Sequence, residues 1–156
     1  MIEINIPGYK YFKLSKAIVD FNGTLAEGGV LVEDVKSKLI ELAKLLEIYV
    51  VTGNTYGTAG EQLKDLPCRV VMLSSKEQAL AKREIVEQLG PNMSVAIGNG
   101  RNDVQMMQSA ALAIAVMGKE GVARDALIAA DVIAGDIHAA LNMLQYPQRL
   151  VATLRS

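Results

Sequence analysis

A three-layer α/β/α sandwich built on a mostly parallel, Rossmann-like sheet is the fold class that this 156-residue sequence predicts. Short β-branched runs, "KAIVDF", "IYVVTG", "SVAIG" and "LAIAV", alternate with amphipathic stretches along most of the chain. These runs are apolar at consecutive positions, as strands covered on both faces are. The connections between them are short, which suits right-handed βα crossovers within one domain.

The elements follow in order. "EINI" and "YFKL" alternate around "PGYK", so residues 1–15 read as a hairpin or two edge strands. "KAIVDF" is a buried strand, and "GTLAEGGVLV" carries two small-residue breaks that suit a short flap. The next segment, "VEDVKSKLIELAKLLE", places Val35, Leu39, Leu42, Leu45 and Leu46 on one helical stripe. Strand "IYVVTG", helix "TAGEQLKDL", strand "CRVVML" and helix "SKEQALAKREIVEQLG" come next, the last closing on Gly90 as a helix end prefers. Strand "SVAIG", helix "NDVQMMQSA", strand "LAIAV", helix "GVARDALIAA" and strand "DVIAG" complete the alternation. Residues 136–156 are expected to be helical, with a kink or restart at Pro147. Residues 1–156 are therefore expected to form a single domain. Met72, Met106, Met107, Met117 and Met143 fall in apolar segments and read as core filler.

Composition narrows the function classes. The formal net charge is −1, and no basic run is interleaved with aromatics, so nucleic acid is not expected as a partner. The single cysteine, Cys68, excludes an internal disulfide and a cysteine-rich metal site, and it reads as an inert thiol in a buried strand. No apolar run approaches the ~20 residues that span a bilayer, and the N-terminus lacks the pattern of a signal peptide. A soluble, cytoplasmic protein is expected.

In open parallel sheets ligands sit beyond the carboxyl ends of the strands, where the strand order reverses. Three such ends gather small and polar residues: Asp20 after "KAIV", "TGN" (Thr52, Gly53, Asn54), and "GNGRND" from Gly98 to Asp103. Taken singly, each has a plain explanation as a turn or a helix cap. Taken together with a lysine they form a set suited to phosphoryl chemistry. An aspartate attacks phosphorus, hydroxyls and backbone N–H groups hold the phosphoryl oxygens, and a lysine and Mg²⁺ offset the charge.

"DFNGT", "VVTGN", "KREIVEQLG" and "AIGNGRNDVQM" resemble, in order, motifs I to IV of the haloacid dehalogenase (HAD) superfamily. The segment after the lysine is most similar to the phosphorylation domain of P-type ATPases, as in the stand-alone proteins called soluble P-type ATPases. The resemblance implies a HAD-like fold and a Mg²⁺-dependent phosphohydrolase or phosphotransferase working through an aspartyl-phosphate. It implies Asp20 as nucleophile, Asn22 at the acid–base position, Thr52 as the motif II hydroxyl and Lys82 as the motif III lysine, with Lys76 as a fallback. Gly23, Thr24, Gly53, Asn54 and Asn102 fall at phosphate-binding positions, and Asp20, Asn22, Asn99 and Asp103 at magnesium-binding ones. The implied substrate is a small phosphorylated compound or a nucleotide. Capless members often associate, so a homo-oligomer is expected as well.

The departures from the pattern bear on function. Asn22, Asn54 and Asn99 stand where the family carries charged side chains. An amide cannot exchange a proton at neutral pH, so the acid–base contribution at position 22 is lost and good leaving groups are favoured. Between Thr24 and Thr52, and between Asn54 and Lys82, there is no room for a cap domain. Two alternatives stand beside the enzyme: a HAD scaffold without turnover that binds phosphate, nucleotide or a partner protein, and a two-component receiver domain. Receivers carry their acceptor aspartate on a middle strand, whereas Asp20 ends the first core strand.

Overall fold

A computed structural model describes residues 1–74 and 76–156. Six strands form a parallel sheet: β3 (Lys16–Asp20), β6 (Glu47–Thr52), β7 (Arg69–Met72), β8 (Ser94–Gly98), β9 (Leu112–Val116) and β10 (Val132–Ala134), in the order β10-β9-β8-β3-β6-β7. β3 is central and enters the sheet first. The chain then builds outward on one side through β6 and β7, returns across β3, and builds β8 to β10 on the other.

Side chains on a strand alternate between faces, and β3 shows what that does here. Ala17 and Val19 enter one apolar core, Ile18 the other, and all three are fully buried. The first core holds α1 (Val35–Leu42), α2 (Ala59–Leu63), α6 (Ile137–Gln145) and α7 (Gln148–Leu154). It also takes the inward residues of the antiparallel hairpin β1 (Ile2–Ile6) and β2 (Lys10–Leu14). The second core holds α3 (Gln78–Leu89), α4 (Val104–Ser109) and α5 (Arg124–Ala129), through Val86, Met106, Met107 and Ala126. The result is the expected three-layer α/β/α arrangement. A two-stranded hairpin, β4 (Ala26–Glu27) and β5 (Val30–Leu31), occupies the flap. Asp136 caps α6 by accepting the Ala139 N–H at 2.7 Å, and α6 and α7 break apart at Tyr146 and Pro147.

Some local expectations give way to tertiary context. Helix α1 ends at Leu42 rather than running to the next strand, and Leu45 emerges 39% exposed while Leu46 stays buried. Met72 and Met117 are exposed, because Met72 ends the edge strand β7 and Met117 follows β9 into a loop. Cys68 is only partly buried, just ahead of that edge strand, where the sheet has one neighbour instead of two. Helix α3 starts at Gln78, so Lys76 lies ahead of it, exposed, while Ser75 falls outside the described residues. Among the described residues no helix is long and apolar enough to cross a membrane.

Candidate active site

The strand order reverses around β3, so its carboxyl end is the switch point of the sheet. Asp20 is the last residue of β3 and lies opposite Val51 of β6, one residue before Thr52, while β8 ends alongside at Gly98. Helix α3 supplies the lysine. Lys82 and Val86 are four residues apart on one helical face, and the burial of Val86 in the second core turns Lys82 toward the sheet. Its ammonium is fully buried and lies 2.6 Å from Asp20 Oδ1 and 2.7 Å from Asp103 Oδ1. Asp20, Lys82 and Asp103, distant in sequence, thus meet at one point, with Thr52 at the tip of the neighbouring strand.

Asp103 is held from both sides. Its Oδ1 takes Lys82, and its Oδ2 accepts the N–H groups of Asn99 at 3.0 Å and Gly100 at 2.9 Å. A Cβ on Gly98 would stand 2.5 Å from this carboxylate, so only glycine lets Asp103 fold back under the turn. Both Asp103 oxygens are therefore engaged within the protein. The residue is placed to anchor Lys82 and the 98–103 loop.

Two carboxylates share one ammonium in a buried site. Burial, and then the nearby Asp103 charge, push the Asp20 carboxyl up from 3.8 to about 7, against the opposing pull of Lys82 and the Phe21 N–H. Burial works against the Lys82 charge as well, but Asp20 and Asp103 more than offset it and hold the ammonium above its ordinary value. The cluster therefore keeps a charged lysine throughout the neutral range, while Asp20 loses its proton near neutrality.

The turn after Asp20 is tightly bonded. Phe21 C=O accepts the Ala26 N–H at 2.9 Å and the Thr24 N–H at 3.3 Å, and the Gly23 N–H donates to Ala26 C=O at 2.8 Å. Gly23 has φ +77°, and a Cβ there would collide with the Asn99 amide. The N–H groups of Gly23 and Thr24 are thus occupied, and Gly23 serves the close approach of the two loops. Thr24 Oγ1 stands 3.3 Å from Asp20 Oδ2 and 3.2 Å from Asn99 Oδ1. A hydroxyl has one proton, so only one of these oxygens can receive it. Among the described residues Asn22 Oδ1 is buried without a hydrogen-bond partner.

At the tip of β6, Thr52 is fully buried and its Oγ1 accepts the Asn54 N–H at 2.9 Å. Asn54 adopts φ +54°, a conformation its short amide tolerates, and its Oδ1 accepts the Ala59 N–H at 3.2 Å. The Asn54 side chain thus caps α2 rather than facing Asp20. Gly53 lies against the Gln78 amide, whose Oε1 accepts from Asn102 Nδ2 at 3.1 Å, so residues 53, 78 and 102 form one wall. Asn99 Nδ2 donates to Gly121 C=O at 3.0 Å, a bond that an aspartate could not make. Arg101 is exposed and pairs with Asp125 at 3.2 Å.

The β4–β5 flap is strapped to the loops that follow β6 and β9. Glu120 accepts the Gly28 N–H at 3.3 Å and the Tyr56 hydroxyl at 3.2 Å, Thr58 Oγ1 donates to Gly29 C=O at 2.5 Å, and Lys119 meets Glu27 at 3.4 Å. Asp20 is 6% exposed, and Thr24, Thr52, Lys82 and Asp103 are buried. A cavity of about 540 Å³ lies instead at the opposite end of the sheet, between Ser15, Leu46, Ile48, Cys68 and Arg69. It is remote from the Asp20 chemistry. The Glu120 strap was not legible in sequence, because its partners lie 92 and 64 residues away. Gln78 had a signal: it sits one helical turn before Lys82 on the same face.

Among the described residues no group of three His, Cys, Asp or Glu side chains gathers where it could hold a metal ion. What does gather is a pair of hard oxygens, Asp20 Oδ2 and Asn99 Oδ1, around the Thr24 hydroxyl; Asn22, two residues after Asp20, carries a third oxygen that is buried.

No protein-family model matches the chain. Over 82 residues, 50% of this chain and 88% of the other, it is 39% identical to the uncharacterized protein MJ0073 of Methanocaldococcus jannaschii. The fold is similar to that of the cobalt-bound deoxy-D-mannose-octulosonate 8-phosphate phosphatase from Haemophilus influenzae, with TM-score 0.71 and 15% identity over 92% of this chain and 94% of that one. A second match is 3-deoxy-D-manno-octulosonate 8-phosphate phosphatase from Moraxella catarrhalis, in complex with magnesium, phosphate and KDO, with TM-score 0.64 and 16% identity over 91% of this chain and 87% of that one. A third is BT1666 from Bacteroides thetaiotaomicron, described among the phosphatases of the HAD enzyme superfamily, with TM-score 0.62 and 9% identity over 86% of this chain and 95% of that one. In this chain, the segments between Asp20 and Thr52 and between Thr52 and Lys82 hold no cap domain among the described residues. The chain has the HAD fold and belongs to one family with MJ0073 of Methanocaldococcus jannaschii.

Proposed function

We propose that this protein is a Mg²⁺-dependent phosphohydrolase or phosphotransferase whose Asp20 carboxylate attacks phosphorus and carries the phosphoryl group. The observation that carries this reading is the buried Lys82 ammonium bridging Asp20 and Asp103. A buried charge on a carboxyl pushed up to about 7 costs stability, so its placement at the switch point of the sheet suits a reaction better than a scaffold. One Asp20 oxygen forms the bond to phosphorus as the bond to the leaving group breaks, and the departing oxygen keeps the electron pair. Lys82 offsets the charge on the transferred group, and the Thr24 and Thr52 hydroxyls orient its oxygens. Asp103 keeps Lys82 in place.

The hard oxygens of Asp20, Asn22 and Asn99 fit magnesium in donor type. When bound there the ion would draw anionic substrate and nucleophile together by charge. With amides in place of acids, this site holds magnesium more weakly than a site with all its carboxylates. Asn22 offers no proton, so leaving groups of low pKa are preferred and the phosphoenzyme is slow to hydrolyse. Such persistence accords with the motif resemblance to P-type ATPase phosphorylation domains. The substrate reaches Asp20 once the flap contacts at Glu120 and Thr58 give way. A small phosphorylated compound or a nucleotide is the substrate class.

The test is aryl phosphate hydrolysis with Mg²⁺, together with trapping of an acid-stable phosphoenzyme from acetyl phosphate. Both should occur in the parent protein and vanish in Asp20→Asn. Absence of both in the parent overturns the proposal. The amides Asn22 and Asn99 favour a second reading, a phosphate- or nucleotide-binding scaffold without turnover. Asn22→Asp separates the two: as an enzyme the protein gains at least ~10-fold in hydrolysis, and as a scaffold it stays inert.

A further inference from the structure

The wall formed by residues 53, 78 and 102 contains a side chain that none of the four motifs contributes. Gln78 opens α3 and lies one turn before Lys82, so both project from the same helical face. Helical side chains lean toward the N-terminus of their helix, and Gln78 is the first residue of α3, one turn N-terminal to Lys82. Its amide fills the place that a side chain on Gly53 would take, directly after the Thr52 hydroxyl. Its Oε1 accepts from Asn102 Nδ2 at 3.1 Å. That bond fixes the amide orientation and leaves Nε2 to donate elsewhere.

We infer that Gln78 is a further phosphoryl-binding residue, whose Nε2–H donates to an oxygen of the transferred group beside Thr52. This deepens the proposed function and rests on it. The geometry carries three parts of the inference. Lys82, on the same face, reaches Asp20 at 2.6 Å. Gly53 has no Cβ, which admits the amide. Asn102 holds the oxygen end of the amide away from an incoming anion. Gln78 thereby supplies a neutral donor beside a turn whose Gly23 and Thr24 N–H groups are already bonded to Ala26 and Phe21.

Gln78→Glu is the informative substitution, because it separates the two roles of the side chain. The new carboxylate still accepts from Asn102 Nδ2, so the link between the loops survives, but it donates nothing and repels an anion. Tungstate binding in the presence of Mg²⁺, followed by calorimetry, should weaken at least ~10-fold, in keeping with the loss of a hydrogen bond to a charged partner. The thermal midpoint of the ligand-free protein should stay within about 2 °C of the parent. Gln78→Ala, which removes donor and link together, should weaken tungstate binding and also lower the midpoint. Tungstate affinity unchanged in both variants, with the parent binding normally, overturns the inference about Gln78 alone. A parent that binds no tungstate at all removes the proposed function itself.

Discussion

Lys82→Met removes the charge at the centre of the site while keeping most of the side-chain volume. In the parent, one ammonium is hydrogen-bonded to two carboxylates at 2.6 and 2.7 Å, with the lysine side chain fully buried. Without it, Asp20 and Asp103 face each other in a closed pocket with no counter-charge. Removing one partner of a buried ion pair typically costs about 3–5 kcal/mol, because the remaining charge is left without compensation. Protonation relieves that cost, so it depends on pH. Near pH 5 the Asp20 carboxyl, already raised to about 7 in the parent, is neutral in both proteins, and only the pairing with Asp103 is lost. At pH 8 both contacts are lost and the carboxylates repel. Urea unfolding at the two pH values should show a loss of about 3–5 kcal/mol at pH 8 and a clearly smaller one at pH 5. Phosphoenzyme formation at saturating acetyl phosphate should fall by about 10²–10³, the usual effect of removing one donor that stabilises developing charge. A loss below about 1 kcal/mol, or an equal loss at both pH values, would refute the picture of a shared buried ammonium.

Asp20→Asn should abolish phosphorylation and yet stabilise the fold. The folded-state pKa of Asp20 lies above its ordinary value, at about 7 against 3.8, so the group favours folding most below pH ~4 and progressively less up to pH ~7, after which its effect is constant. Relative to the parent, the variant gains stability over that window, up to roughly 4 kcal/mol, and a parent-minus-variant stability difference that is flat with pH contradicts the burial argument. Asn99→Asp should bind Mg²⁺ more tightly, as titration calorimetry would read. It should also lose the bond to Gly121 C=O and about 1 kcal/mol of stability, visible in urea unfolding.

The strands and the convergence of their tips were readable because each βα unit announces itself locally. A β-branched run such as "KAIVD" has one way to be buried on both faces, and the acid that ends it must emerge at the carboxyl edge. Lys82 was legible through the motif resemblance alone, which left Lys76 as a fallback; that its helical face is shared with the buried Val86 shows only in the folded structure. Side-chain pairings between distant loops left no local trace. Asn54 resembles a phosphate-loop residue in sequence, but its amide is turned into α2 by a left-handed backbone. Both oxygens of Asp103 are taken up by Lys82 and by two N–H groups of its own loop, which only the folded turn reveals. Apolar residues at the margins behave likewise: Leu45, Met72 and Met117 belong to apolar runs, but those runs end at an edge strand or a loop.

The most direct measurement is a crystal structure of the protein soaked with Mg²⁺ and beryllium fluoride, a mimic of the bound phosphoryl group. Density should join a carboxylate oxygen of Asp20, with Lys82 Nζ and the Thr52 hydroxyl directed at the fluorides and Asp103 still holding the lysine. A well-bound magnesium without density on Asp20, or a fluoride adduct seated elsewhere on the molecule, would contradict the proposed function.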